Sequence, residues 1–227
     1  MQLRGTVLFF IYSFLVAIQS NAAQPRLFQS PLSNNLIEST VSAIHRDRQG
    51  VLWIGTKRGL HRFDGSDVTI FSSNMKNRNW IPANVIYDIA EDREGNLLVA
   101  TKGGGLLEWS KSSQQFEVSA MSKANKEADF IRVYTSAQGN TWPGTQDEVF
   151  LYDPDSSSGR KDDLIFPIKN IKGTPHTFFE DGSGNLLVGT NFGLEKISIW
   201  DSSFIENTVD ITEISESSSV TAIARDE

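Results

Sequence analysis

The 227-residue chain has no cysteine and only three histidines. Without thiols, neither a disulfide framework nor a thiolate zinc site can form. The histidines, His45, His61 and His176, show no His-x-x-x-His spacing and no carboxylate in register to complete a metal set. Positive charge is also scarce: 21 Lys and Arg stand against 28 Asp and Glu, for a formal net charge of −7. The lysines that cluster are interleaved with acids, Lys123 and Lys126 with Glu127 and Asp129, and Lys161 with Asp162 and Asp163. Nucleic acid needs a cationic face, so a nucleic-acid partner is set aside. Long apolar runs are missing too, since residues 7–18 fall short of the ~20 that a spanning helix needs. That run follows Arg4 and precedes Ser20, Asn21 and Ala22, the order of a secretory leader with small residues at its cleavage point. Residues 1–22 are therefore expected to be a signal peptide cut after Ala22, and the mature chain to be periplasmic.

What the chain does contain is an internal echo with a period of about 45 residues. The block running from Val41 through Asp47, Gly50, Trp53, Gly55 and Thr56 returns with Asp92, Gly95, Leu98, Ala100 and Thr101. A weaker copy holds Gly139, Trp142, Gly144 and Thr145, and a clear one holds Asp181, Gly184, Leu187, Gly189 and Thr190. A fifth copy opens with Val220, Ile223 and Asp226, and the sequence ends at Glu227, in mid-repeat.

Strand-rich repeats of this length belong to β-propellers. Each copy divides into four strands. The first carries paired apolar residues: Val41 and Ile44, Ile86 and Ile89, Phe130 and Val133, Val220 and Ile223. It ends at an Asp-x-x-Gly hairpin, in which Asp bonds back to the turn backbone and Gly takes a positive φ. The second strand is apolar on both faces, so it lies between layers. On it a bulky residue (Trp53, Leu98, Trp142, Leu187) stands near a small one (Gly55, Ala100, Gly144, Gly189), as suits sheets packed at close range. The third strand begins near a second glycine, and a more polar fourth forms the rim. The chain is thus expected to be an all-β propeller with four-stranded blades, approximately 41–84, 85–129, 130–173 and 174–219. The start of a fifth occupies 220–227, and a lead-in occupies 23–40. In the third copy Ser136 replaces the turn Asp, and Pro143 sits in the second strand, where it cannot donate to the ladder, so an irregular strand is expected.

No catalytic set and no cofactor site emerges from the residues. Asp47, Asp92 and Asp181 invite a calcium reading, but each is alone in its turn, and hairpin bonding accounts for it. His45 occupies a repeat position held elsewhere by Ala90, Tyr134 and Phe179, which marks a strand position tolerant of many side chains. The glycines at 103–105, and Gly182 with Gly184, lack the strand–helix context of a phosphate loop. Among the aromatics, Trp53 and Trp142 sit at the interior wedge, and Trp109 closes a third strand. Trp80, flanked by Asn79 and Arg78 between blades one and two, has no repeat counterpart. It is the candidate ligand contact, set against simple packing over the blade edge.

The run from Ile44 through Asp47, Gly50, Trp53, Gly55, Gly59, Leu60, Arg62, Phe63, Asp64 and Gly65 resembles the two-component regulator propeller repeats of bacterial membrane sensors. The likeness extends from about Arg26 to the end. It implies a periplasmic region that captures an extracellular small molecule or saccharide and passes the signal through a transmembrane helix to a histidine kinase or diguanylate cyclase. It also implies that the lead-in strand closes the ring. A ring of six to eight blades would need roughly 270–360 residues, so the expectation is an N-terminal fragment, its remaining blades and output module lying beyond this chain. The alternative class is a secreted enzyme of the streptogramin-lyase type, whose propellers carry comparable repeats.

Overall fold

Asp47 accepts backbone hydrogen bonds from Gln49 and Val51 through Oδ1, both at 2.9 Å, and Gly50 closes the turn at a φ of 86°. Asp181 repeats the device with Ser183 and Asn185, and Asp92 does so with Asn96. In the third copy the Ser136 hydroxyl accepts from the Asn140 amide at 3.2 Å, so a weaker acceptor keeps the turn. A left-handed glycine and an acceptor at its i−3 position therefore define where each hairpin folds back.

The computed structural model describes residues 40–74, 76, 78–110, 112–124, 129–152, 165–168, 171–199, 209–216 and 218–224. The expected leader, the lead-in at 23–39 and Asp226 lie outside the described residues. Four antiparallel four-stranded sheets follow one another along the chain. Blade one is β1 (Val41–Arg46), β2 (Leu52–Thr56), β3 (Gly59–Phe63) and β4 (Val68–Phe71); blade two is β5 (Ile86–Glu91), β6 (Leu97–Thr101), β7 (Gly105–Ser110) and β8 (Gln115–Val118). Blade three is β9 (Arg132–Thr135), β10 (Thr141–Gly144), β11 (Val149–Tyr152) and β12 (Ile165–Ile168); blade four is β13 (Pro175–Glu180), β14 (Leu186–Thr190), β15 (Gly193–Ile199) and β16 (Val209–Glu216). In each sheet the strands lie in chain order. No helix among the described residues is long and apolar enough to cross a membrane.

Three details depart from the repeat pattern. A short helix, α1 (Ala120–Ala124), links blades two and three, with Ser119 capping it by accepting the Ser122 amide on Oγ. The ladder between β10 and β11 pairs Thr141 with Tyr152 and Gly144 with Val149, leaving Trp142 and Pro143 out of it, because proline has no N–H to give. Residues 220–224, expected as the opening strand of a fifth blade, form no strand; Val220 instead donates its N–H to the Thr190 carbonyl at 2.9 Å.

The blades meet through their first strands, β1 against β5, β5 against β9 and β9 against β13. The small residue on each second strand is what lets them approach. A Cβ at Gly55 would lie 2.6 Å from Ile86 Cγ2, one at Gly144 would lie 2.9 Å from Phe178 Cζ, and one at Gly189 would lie 2.7 Å from Val220 Cγ1. Beside that seat the wedge fills the seam. Trp53, 2% exposed, meets Phe71 of its own blade and Trp109 and Phe116 of the next, with ring centroids 5.6–6.0 Å apart. Such tilted and edge contacts add to the apolar burial itself.

Candidate functional site

The first strand of a blade is apolar at two positions three apart, and between them the pairing slips. Register breaks occur between Val41 and Ala43, Ile86 and Asp88, and Pro175 and Thr177. An extra residue in one strand of a pair bends it and re-aims a side chain. The extra residues are Ser42, Tyr87 and His176, one from each of three blades. All three line a groove of about 480 Å³ that runs over the first strands of the four blades.

Much of the groove's polar chemistry is spent on joining blades. Ser42 Oγ donates to the Ile86 carbonyl at 2.7 Å. Asp88 accepts the Val133 amide at 3.1 Å on one oxygen and the Ile89 amide at 2.9 Å on the other. Arg132 donates through Nε to the His176 carbonyl at 2.9 Å and through Nη1 to the Ile131 carbonyl. Each seam between consecutive blades thus carries a polar staple at the groove.

Burial raises the Asp88 carboxyl above the ordinary carboxylate range, against the opposing pull of its two amide donors and of Arg132. A raised folded-state pKa means that the native state holds the proton more tightly than the unfolded chain. The stability owed to this group is therefore fully present below the unfolded value of 3.8 and is lost as pH rises through the folded pKa. Asp88→Asn, which keeps an acceptor for Val133, is expected to change stability at pH 7 by less than about 1 kcal/mol, whereas Asp88→Ala strands the amide and costs about 1–3 kcal/mol. Urea unfolding of both variants at pH 5 and pH 8 checks this; a cost for Asp88→Asn equal to that of Asp88→Ala would refute it.

Of the sequence candidates, His45 does enter the groove, where its Nε2 lies 3.8 Å from Glu91 Oε2 and has no hydrogen-bond partner. His176 reaches the same groove from blade four. His61 does not: it is fully buried in blade one, where loss of solvent lowers its pKa and keeps the imidazole neutral. Trp80 is 41% exposed on the loop after β4, joined to Ser72 by an isolated parallel bridge, and is not part of the groove lining. Asp47, Asp92 and Asp181 hold turns, as do Gly50, Gly95, Gly139 and Gly184, while Gly55, Gly144 and Gly189 are seats for the neighbouring blade. Among the described residues no three His, Asp or Glu side chains come together in a way that could hold a metal ion. Tyr87, Asp88 and Arg132 escaped the sequence reading. Their one signal was a column of the repeat in which polar and ring side chains stand between two apolar positions.

Residues 35–58 and 81–103 match the family model described as the two component regulator propeller. No curated protein matches the sequence. Among solved structures, the extracellular domain of a hybrid two component system from B. thetaiotaomicron aligns at 23% identity over 80% of this chain and 23% of its own, with a TM-score of 0.59. A second such domain from the same organism aligns at 18% identity over 85% and 32%, with a TM-score of 0.52. Virginiamycin B lyase from Staphylococcus aureus aligns at 13% identity over 82% and 59%, with a TM-score of 0.54. This chain spans less than a third of the length of either sensor domain. Repeat motif, blade topology and structural likeness agree that the chain has a β-propeller fold, in which residues 35–58 and 81–103 match the two component regulator propeller model.

Proposed function

We propose that this chain is the ligand-sensing propeller region of an exported, membrane-coupled signal-transduction protein, and that the groove over its first strands takes an extracellular small solute. The observation that carries the proposal is the bulge set. Three blades each turn one polar or ring side chain, Ser42, Tyr87 and His176, into one concave surface. A solute held there touches several blades at once, and the staples Asp88 to Val133 and Arg132 to His176 lie directly beneath it. Binding would then bias how neighbouring blades sit, which is the differential interaction that signalling requires. The transmitter itself belongs to the membrane-coupled part of the full-length protein.

Thermal unfolding in the presence of soluble saccharides and other small polar solutes tests this. A solute at 100 times its Kd should stabilise the chain by about 2.7 kcal/mol. His176→Ala and His45→Ala should each diminish that gain while leaving the solute-free transition in place. If both variants keep the full gain, the solute binds elsewhere and the groove is not the sensor site. An enzymatic reading has one observation in its favour, the contact between His45 and Glu91 in the groove. Virginiamycin B turnover, measured on the same preparation, discriminates: loss of turnover in His45→Ala would establish the enzyme, and none is expected in the parent chain.

A further inference from the structure

The seam between blades one and two holds a second, smaller cavity of about 120 Å³, at the end of the blades where their Asp-x-x-Gly turns lie. Strand register accounts for its walls. Trp53 of β2 and Arg62 of β3 are direct cross-strand partners, so both side chains leave the same face of blade one, the face on which Trp53 meets Trp109 and Phe116 of blade two. Buried Val51 and Leu97, with half-buried Trp109, give an apolar floor. Asp47, Arg62 and Glu91 give a polar wall.

That wall has hydrogen-bonding capacity left over. The Glu91 side chain is 9% exposed, and its Oε2 accepts the Arg48 amide at 2.9 Å, whereas Oε1 accepts no hydrogen bond among the described residues and lies 3.9 Å from Arg48 Nε. Asp47 Oδ2 accepts only the Trp53 indole, at 2.8 Å. Each carboxylate therefore keeps an accepting position. Arg62 gives Nη1 to Asp64 at 3.4 Å, and its Nε and Nη2 have no hydrogen-bond partner among the described residues.

Size and charge then limit what fits. A cavity of about 150 Å³ binds benzene, so this one takes roughly six heavy atoms, and a pyranose with its hydroxyl groups is too large. A simple carboxylic acid would bring a third negative charge beside Asp47 and Glu91. A simple amine would suit the carboxylates and the indole rings but leave Arg62 unanswered. A compact molecule with a donating cation at one end and an accepting anion at the other answers every wall.

We propose that this cavity binds a small zwitterion of the α-amino acid class. Its ammonium donates to Glu91 Oε1 and Asp47 Oδ2, its carboxylate accepts from Arg62, and its short side chain rests on Trp109 and Leu97. The site is separate from the groove, although Glu91 lines both, and the inference does not depend on which solute the groove takes. An occupant ties blade one to blade two.

L-Alanine titrated into the 227-residue protein, followed by calorimetry and by thermal unfolding, tests the assignment. Saturable heat and a higher unfolding temperature are expected with L-alanine, and neither with ethylammonium, propionate or glucose at the same concentration. Each of the first two answers one wall alone, and glucose is too large. Glu91→Gln and Arg62→Gln should each weaken L-alanine binding about tenfold or more, the usual effect of losing a hydrogen bond to a charged group. Arg62 lies outside the groove lining, so its variant separates this site from the groove. Full affinity in a folded Arg62→Gln protein places the amino acid elsewhere and overturns the proposal. So does the absence of L-alanine binding, or binding of ethylammonium or propionate as tight as that of L-alanine. Should a variant fail to fold, the comparison of L-alanine with its two halves on the parent chain still decides.

Discussion

Trp142→Ala is expected to be among the most destabilising single changes in the described residues. The indole is 0% exposed in blade three, and its Nε1 donates at 3.0 Å to Glu180 of blade four, a carboxylate 5% exposed whose other contacts come from Asn140. Removing a buried Trp side chain costs about 3–5 kcal/mol through lost burial and the cavity left behind. The buried carboxylate, left with Asn140 as its side-chain donor, adds to that, and the sum is a large share of the 5–15 kcal/mol that holds an ordinary domain folded. Trp142→Phe separates the two contributions. It keeps most of the apolar volume and removes the donor, so it should cost about 1–3 kcal/mol, and Glu180→Gln in the same background should recover part of it. Urea unfolding of the set decides. A cost for Trp142→Phe below about 0.5 kcal/mol would mean that Glu180 is satisfied without the indole.

Gly55→Val comes next. Ile86 Cγ2 would stand 2.6 Å from the new Cβ and Ile86 Cβ 3.0 Å from it, so blades one and two must separate or the side chains must leave their rotamers. Overpacking of this kind costs about 1–3 kcal/mol. Gly55→Ala should cost less, since Ala100 occupies the same place in blade two. The diagnostic is coupling. In the Ile86→Ala background the Gly55→Val penalty should shrink by more than about 1 kcal/mol, because the clash partner is gone, while two independent sites would simply add. Additivity would refute the seat.

The same two residues show why much of this architecture was legible in the sequence. A turn needs a glycine at positive φ and an acceptor three residues before it, and a close seam needs a small side chain beside a large one. Both requirements are local and fall on a few residue types, so Asp47 with Gly50 and Trp53 with Gly55 stand out and recur with only conservative changes, Ser136 for the Asp, Leu98 and Leu187 for the Trp and Ala100 for the Gly. The groove had no such signature. It depends on a register slip between β1 and β2, or β5 and β6, and a slip is a property of pairing that leaves residue types free. It also collects His45, Tyr87, Arg132 and His176 from strands about 45 residues apart. The repeat column therefore points to a tolerant strand position for His45, and its place beside Glu91 came only with the fold. Val220, at the repeat position of Ile86, sits on Gly189 as Ile86 sits on Gly55. Its spacing fits the opening of a strand, and although residues 220–224 form no strand, it takes the seat on Gly189 that a first-strand residue takes elsewhere.

The wedge tryptophans look interchangeable in the repeat and yet bond differently. Trp53 gives its indole proton to Asp47 of its own turn at 2.8 Å, and Trp142 gives its proton across the seam to Glu180. The seam between blades one and two is therefore latched from outside, by Arg48, whose side chain is 60% exposed, on Glu91 and on the Asp92 and Arg93 carbonyls. Salt reaches an exposed latch and barely reaches a buried one. Ionic strength is consequently expected to act on one joint of this chain before the others: high salt weakens the Arg48 contacts across the first seam and leaves the buried Trp142 to Glu180 bond across the third in place.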